Sequence, residues 1–166
     1  ITKVFAKNYK TFSDFEVRED DVWVISFPKC GTTWTQEMVW LLGNNFDYEG
    51  AEVPINLRFP FLEFGVLIFE KFMHEWPNSA EMLKNAPSPR YIKSHLDIEF
   101  LPKQLWTKKP KIIYVARDPK DVSISYFYHN KFWKDFSGSQ DEFIEAFLQD
   151  KVMFSPFWNN VLGFWN

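Results

Sequence analysis

The chain has 166 residues, of which 46% are hydrophobic and 25% are charged, and its formal net charge is -3 at pH 7. This composition is typical of one globular domain with a real core, so we treat residues 1–166 as a single domain. The acidic balance excludes the broad basic face of a nucleic-acid-binding protein, and the chain lacks the run of about 18 apolar residues that predicts a membrane-spanning helix. The lone cysteine, Cys30, excludes an internal disulfide and favours a reducing, cytoplasmic compartment. We therefore predict neither a nucleic-acid partner nor a membrane partner.

The first part of the chain predicts a strand, a tight loop and a helix. Residues 1–20 have no clear period and predict an extended lead-in. Residues 21–27 are a nearly continuous apolar run rich in β-branched residues, which is typical of a buried strand. Residues 32–42 have helical spacing and end at a Gly-Asn-Asn stop. Residues 46–58 predict a loop, and residues 59–69 predict either an irregular loop or a short helix.

The second part of the chain alternates short strands with helices. Strands are predicted at residues 90–94 and 111–116. The spacing also predicts helices at 79–85 with Ser79 as N-cap, at 101–106, from Asp118 or Pro119 to Phe132, at 140–149 with Ser139 as N-cap, and at 156–164. The alternation predicts an α/β fold, in which helices flank a parallel sheet that carries a P-loop-like strand–loop–helix unit.

The turn after the first strand has the composition of a phosphate-binding loop. The first N–H groups of a helix have no partners within it, and they point outward at the positive end of the helix dipole. Lys29 adds a positive charge, Gly31 lets a ligand approach closely, and Thr32 and Thr33 add hydroxyl donors. We therefore predict a ligand bound by its phosphates, with a plain strand–helix turn as the alternative. Because Lys29 precedes Gly31, the order differs from a Walker A loop and disfavours an ordinary ATPase or GTPase.

Two other strand ends carry polar side chains at the edge where parallel sheets bind ligands. Lys93 and His95 end the second strand, and a histidine there can take a proton from a hydroxyl near neutral pH. Arg117 ends the third strand and Ser125 follows on the next helix, a pair that suits a phosphate. The alternatives are a loop histidine bonded to the backbone and an ion pair of Arg117 with a nearby aspartate.

Three segments together resemble the cytosolic sulfotransferase family. Residues 27–34, Phe-Pro-Lys-Cys-Gly-Thr-Thr-Trp, resemble its 5′-phosphosulfate loop. Residues 93–96, Lys-Ser-His-Leu, resemble its Lys-Thr-His-Leu segment, and residues 114–126 resemble its 3′-phosphate segment. Smaller matches lie at residues 59–64 and 161–165. The matches follow the family's order from about residue 20 onward, so the resemblance implies the sulfotransferase fold.

The resemblance also implies a donor and roles for single residues. The donor would be 3′-phosphoadenosine 5′-phosphosulfate (PAPS), with PAP as product and no metal. His95 would be the general base on the acceptor hydroxyl, while Lys29 and Lys93 would stabilise charge at the transferred group. The implied donor-binding residues are Lys29, Cys30, Gly31, Thr32, Thr33, Trp34, Arg117 and Ser125. Of these, Trp34 would stack on adenine.

The acceptor pocket is expected to be aromatic, because aromatic residues make up 20% of the chain. Phe61, Phe64 and Phe127 are the candidates beside His95, although most of the 19 phenylalanines must belong to the core. Such a pocket favours a phenol, a steroid or another apolar alcohol. A homodimer is a possible assembly that the sequence does not decide.

Two features depart from the family pattern. Cys30 stands where the family often has serine, and a thiol at a helix N-terminus beside Lys29 suggests a lowered pKa and sensitivity to oxidation, with a neutral substitution as the alternative. The chain also ends at Asn166, before further family segments, so we expect the C-terminal part of the family domain to be absent from this sequence. A non-catalytic fragment that binds a nucleotide or an apolar ligand is therefore the second hypothesis.

Overall fold

A computed structural model describes residues 3–64 and 79–165. They form an α/β fold in which parallel strands alternate with helices, as the sequence predicts. The strands are β1 (Val22–Ser26), β2 (Tyr91–Ser94) and β3 (Lys111–Val115). The helices are α1 (Lys3–Ser13), α2 (Thr32–Gly43), α3 (Ile55–Arg58), α4 (Ser79–Asn85), α5 (Leu105–Lys108), α6 (Pro119–Trp133), α7 (Gln140–Leu148) and α8 (Phe157–Trp165), with short 3₁₀ turns at Gly50–Glu52 and Ile98–Phe100.

The sheet has the order β2-β1-β3, so the most apolar strand lies in the middle. Every residue of β1 is buried, whereas β3 is only partly covered. The register pairs Ile25 with Ser94 on one side and Ser26 with Val115 on the other. All three strands therefore end at the same edge of the sheet.

The alternation of side chains along β1 divides the core between the two faces of the sheet. Trp23 and Ile25 pack on one face with side chains from α1, α4 and α5. Val24 packs on the opposite face with Trp40 of α2 and with Phe59. Side chains of α6, α7 and α8 form most of a third core cluster. Its buried members are Phe27, Cys30, Val122, Tyr126, Phe127, Phe143, Phe147 and Phe157.

Two helices begin where the sequence predicts, and Ser139 is the predicted N-cap of the second. Asp118 caps α6 by accepting the backbone N–H of Lys120 at 2.9 Å, and Pro119 occupies the first turn. Ser139 caps α7 in a capping box with Glu142. The Asp118 cap fixes the start of α6, which carries Ser125.

The prediction of an extended lead-in over residues 1–20 is wrong, because residues 3–13 form α1. Phe5, Tyr9 and Phe12 recur at helical spacing, and the rings of Phe5 and Tyr9 lie 5.5 and 5.9 Å from the ring of Phe100. Burial of this face favours the helix.

Smaller differences concern element boundaries. The helix predicted at 101–106 begins only at Leu105, and a single turn of helix, α3, interrupts the loop predicted at 46–58. The prediction for 59–69 lies partly outside the described residues. Among the helices of the described ranges, none is both long enough and apolar enough to cross a membrane.

Candidate active site

The loop that joins β1 to α2 has an unusual backbone conformation. Lys29 and Gly31 both have left-handed backbone conformations, with φ of 69° and 97°. Glycine adopts this conformation without strain, and a Cβ added at Gly31 would meet no atom within 4 Å. No side chain caps the first turn of α2, so its N–H groups stay available at the positive end of the helix dipole.

The side chains of this loop differ in direction. Thr32 is buried, and its hydroxyl is bonded to that of Ser26 at 2.7 Å. Thr33 is exposed, and Trp34 is 81% exposed, so its indole face is open. Burial, and after it the charge of Arg117, lowers the pKa of Lys29. The loop thus presents a lysine, an open hydroxyl and an open aromatic face on the outside.

A hydrogen bond to the backbone of β1 fixes the orientation of the His95 ring. Its Nδ1 lies 2.7 Å from the carbonyl oxygen of Ser26, which can only accept a hydrogen bond. Nδ1 therefore carries the proton, and Nε2 keeps its lone pair. Burial and the nearby Lys93 charge hold the pKa of His95 well below 6.5. The imidazole is consequently neutral at physiological pH and can accept a proton at Nε2.

Two aromatic rings flank this imidazole. The ring of Phe61 lies 5.0 Å from the His95 ring and that of Phe154 lies 5.5 Å away, both edge-on. Phe61 is also 6.0 Å from the ring of Phe64. The sequence pattern did not single out Phe154, because it lies in the loop between α7 and α8, far along the chain from the other two.

Lys93 lies next to the same aromatic side chains. Its Nζ stands 4.6 Å from the centre of the Phe61 ring, within the range of a cation–π contact. Burial lowers the pKa of Lys93 to about 8, against the opposing effect of the Glu63 carboxylate. Lys93 is therefore mostly protonated at neutral pH but loses its charge in mildly alkaline solution.

The end of β3 is more open than the end of β2. Arg117 is exposed, and its guanidinium lies 3.4 Å from the carbonyl oxygen of Lys29 and 3.4 Å from the carboxylate of Asp121. The ion pair of Arg117 with a nearby aspartate, which was the alternative interpretation of the sequence, is thus present. Because this pair is exposed, the guanidinium keeps N–H groups that can donate to another anion. Ser125 is partly buried, two helical turns further along α6.

Cys30 differs from the reactive thiol that its position at a helix N-terminus suggests. Its side chain is 5% exposed within the third core cluster. Burial raises the pKa of the thiol to about 11, although a hydrogen bond from the backbone of Arg117 acts in the other direction. The expectation of a lowered pKa is wrong, because desolvation outweighs both the charge of Arg117 and this hydrogen bond.

The predicted pocket phenylalanines occupy two different places. A cavity of about 150 Å³ is bordered by Phe61, Phe64, Lys93 and Thr33. Phe127 instead is 4% exposed and packs against Phe136 and Phe143. Within the described part of the chain, the walls of the cavity are Thr33, Gln36, Ile55, Asn56, Leu57, Phe59, Phe61, Phe64, Ser79, Met82 and Lys93.

Two titratable side chains near the site were absent from the sequence-based prediction. Glu63 is fully buried beside the end of β2. His129 is partly buried on α6, and burial together with Lys29, Lys134 and Lys93 lowers its pKa to about 4. Its position four residues after Ser125, on the same face of α6, was the available signal. Over residues 3–64 and 79–165, no group of three or more His, Cys, Asp or Glu side chains could hold a metal ion.

Comparison with known proteins defines the class. The sulfotransferase domain family matches residues 19–166, so the chain belongs to the sulfotransferase family. It is 40% identical to luciferin sulfotransferase of Photinus pyralis over 173 aligned residues, which cover 95% of this chain and 47% of that protein. It is 39% identical to sulfotransferase 1 family member D1 of Mus musculus, over 96% of this chain and 53% of that protein.

Solved structures bear out the fold. A retinol dehydratase in complex with androsterone and the inactive cofactor PAP matches 98% of this chain and 55% of its own, with a TM-score of 0.88 and 24% identity. Mouse sulfotransferase SULT7A1 complexed with PAP matches 93% of this chain and 50% of its own, with a TM-score of 0.68 and 27% identity. The chain spans about half the length of the curated relatives it matches.

Proposed function

We propose that this chain carries the donor loop and the general base of a sulfotransferase that moves a sulfuryl group from PAPS to the hydroxyl of a small apolar acceptor. The observation that carries the proposal is the state of His95. Its Nδ1–H is committed to the Ser26 carbonyl, the imidazole is neutral, and Nε2 has no hydrogen-bond partner among the described residues. It also lies at the same sheet edge as the anion-binding loop.

The donor fits the residues at the end of β1. Three features suit the 5′ phosphosulfate: the open space where a Cβ of Gly31 would lie, the uncapped N–H groups at the start of α2, and the ammonium of Lys29. The open indole of Trp34 suits stacking on adenine, and Arg117 with Ser125 suits a 3′-phosphate. PAPS supplies the sulfuryl group when it is bound, and the residues of this chain supply position and charge.

His95 would remove the acceptor proton. A neutral imidazole with a free Nε2 can take the hydroxyl proton as the oxygen becomes a nucleophile, a step typically worth ~10²–10⁴-fold in rate. The Ser26 carbonyl would then stabilise the imidazolium, because it accepts from Nδ1 in both charge states. Phe61 and Phe154, whose rings lie 5.0 and 5.5 Å from the imidazole, would help to shield it from water.

Lys29 and Lys93 would stabilise the negative charge that grows around the transferred group. Preorganised positive groups aimed at developing charge usually contribute the largest share of such catalysis. Both ammonium groups are partly desolvated, which lowers their pKa and strengthens their interaction with an anion.

The acceptor class follows from the surroundings of Lys93 and His95. The cavity of about 150 Å³ beside Phe61 and Phe64 matches the volume at which an apolar cavity can hold a benzene-sized ring. One relative is named for luciferin, and two solved neighbours hold androsterone and retinol. A phenol, a steroid or another apolar alcohol is therefore the proposed acceptor class, in a cytoplasmic setting.

A transfer assay separates this proposal from that of a non-catalytic binding fragment. With labelled PAPS and a simple phenol, we expect labelled phenyl sulfate and PAP. Lys29→Ala is expected to weaken PAP binding by roughly 10–100-fold, the range for a lost charge-assisted hydrogen bond. Lys103→Ala, which removes the same charge at an exposed site, serves as the control. PAP binding without any transfer would support the fragment hypothesis instead.

A further inference from the structure

A buried carboxylate lies beneath the proposed catalytic groups. Glu63 is 0% exposed. Its segment runs along the outer edge of β2, where the N–H of Lys93 donates to the Pro60 carbonyl at 2.9 Å and the N–H of Leu62 donates to the Lys93 carbonyl at 2.9 Å. These two bonds place the Glu63 side chain next to the strand end that carries Lys93 and His95.

The carboxylate of Glu63 organises the backbone of that strand end. It accepts the backbone N–H of His95 at 2.5 Å and the hydroxyl of Ser94 at 3.1 and 3.3 Å. The Ser94 hydroxyl in turn accepts the N–H of Leu96 at 3.1 Å. One side chain thus holds the turn at 94–96, and with it the position of the His95 ring.

Hydrogen bonding alone does not account for a charge at this place. The donors on Glu63 are a backbone N–H and a hydroxyl, which the neutral oxygen of a glutamine could also satisfy, while a buried carboxylate is costly. The negative charge has another effect, because it opposes the lowering of the Lys93 pKa by burial and by Lys29. Burial raises the pKa of Glu63 itself to about 7, and the Lys93 charge acts against that rise.

We propose that Glu63 is a positioning residue of this site: its carboxylate holds the strand end that carries His95 and supplies the negative charge that keeps Lys93 protonated. This role rests on the proposed function. Among the described residues, the other charged or titratable groups that interact with Lys93 are Lys29 on the donor loop, His95 on its own strand end and His129 on α6, and none of these is an anion. Glu63 therefore provides the negative charge for a site that is otherwise built of bases.

The charge can be tested without any turnover. In protein labelled with ¹³C at the lysine ε-carbons, the Lys93 signal, assigned with Lys93→Arg, is followed by NMR during a pH titration. We expect a midpoint near 8 in the wild type. Glu63→Gln should lower this midpoint by about 1 pH unit or more, as loss of a nearby opposite charge does. Glu19→Gln removes the same charge at a side chain that is 76% exposed, and it should leave the midpoint unchanged.

The reciprocal variant covers the case in which Glu63→Gln fails to fold. In Lys93→Met, loss of the ammonium should raise the midpoint of the Glu63 carboxyl carbon above its wild-type value near 7. Midpoints of Lys93 and Glu63 that do not move in either variant would overturn the proposal.

The pH dependence of turnover distinguishes charge from structure. In Glu63→Gln, the decline of kcat in alkaline solution should begin at lower pH than in the wild type, with kcat near pH 6.5 affected least. A purely structural role would lower kcat by the same factor at every pH, and this result would contradict the proposal. Failure of the proposed function would look different: the wild type would make no product, while the Lys93 titration would still respond to Glu63→Gln.

Discussion

Two buried carboxylates lie at opposite ends of the β1–β2 pair, and their partners differ. Asp21, just before β1, is 0% exposed and is held by Arg90 through two bonds of 2.7 Å. Glu63, beside the far end of β2, is equally buried but accepts hydrogen bonds only from neutral donors among the described residues. The same chemical group thus forms a closed ion pair at one end, whereas at the other end it has no salt-bridge partner among the described residues.

The difference separates stability from function. Arg90 is 2% exposed, and it also donates to the carbonyls of Leu83 and Glu16, so its charge is satisfied within the fold. The charge of Glu63 acts instead on Lys93, which borders the cavity beside Phe61 and Phe64. We therefore expect changes at the amino ends of the strands to alter stability, and changes at the carboxyl ends to alter binding and chemistry.

The largest effect on stability is expected from Arg90→Met. It leaves the Asp21 carboxylate buried without its cation, a loss that typically costs about 3–5 kcal/mol in the free energy of unfolding. Denaturant titration measures this cost. Lys108→Met breaks the exposed pair with Glu19 and should cost less than about 1 kcal/mol. A similar cost for both variants would contradict the structural role assigned to the amino end.

An intermediate effect is expected from paired leucine substitutions of Phe127 and Phe61. Phe127→Leu disturbs the third core cluster and should lower the free energy of unfolding by on the order of 1 kcal/mol, with KM for a phenol unchanged. Phe61→Leu removes a ring beside His95 and Lys93, so it should raise KM and leave stability nearly unchanged. The reverse pattern would return Phe127 to the acceptor pocket.

The smallest effect is expected at Cys30. A thiol that is 5% exposed, with its pKa raised to about 11, is almost entirely protonated at pH 7.5 and shielded from reagents. Dilute peroxide should leave turnover unchanged, and a thiol reagent should react rapidly only after unfolding by guanidinium. Rapid labelling of the native protein would show instead that the donor loop opens around Cys30.

Much of the fold could be predicted from local patterns. The apolar run of β1, the caps Asp118 and Ser139, and the Gly-containing loop identify strands and helices without reference to tertiary contacts. The prediction of an extended lead-in overlooked the helical spacing of Phe5, Tyr9 and Phe12 in α1. Its aromatic face becomes favourable only where Phe100, far along the chain, receives it.

The candidate site shows the same division between local and distant information. Lys29, His95 and Arg117 are predictable, because each follows a strand, and strand ends of a parallel sheet meet at one edge. The burial of the Cys30 thiol could not be predicted, since it depends on side chains of α6 to α8 that close over it. Glu63 was visible in a motif, but its bond to the His95 N–H depends on how residues 60–63 join β2.

The most direct test of the central claim is His95→Ala, with turnover and donor binding measured on the same sample. If His95 is the base of a sulfotransferase site, transfer from labelled PAPS to a phenol should fall by ~10²–10⁴-fold. The affinity for PAP, measured by calorimetry, should remain close to that of the wild type. The donor loop lies between β1 and α2, whereas His95 follows β2. Lost PAP binding, or transfer that continues at the wild-type rate, would contradict this account of the site.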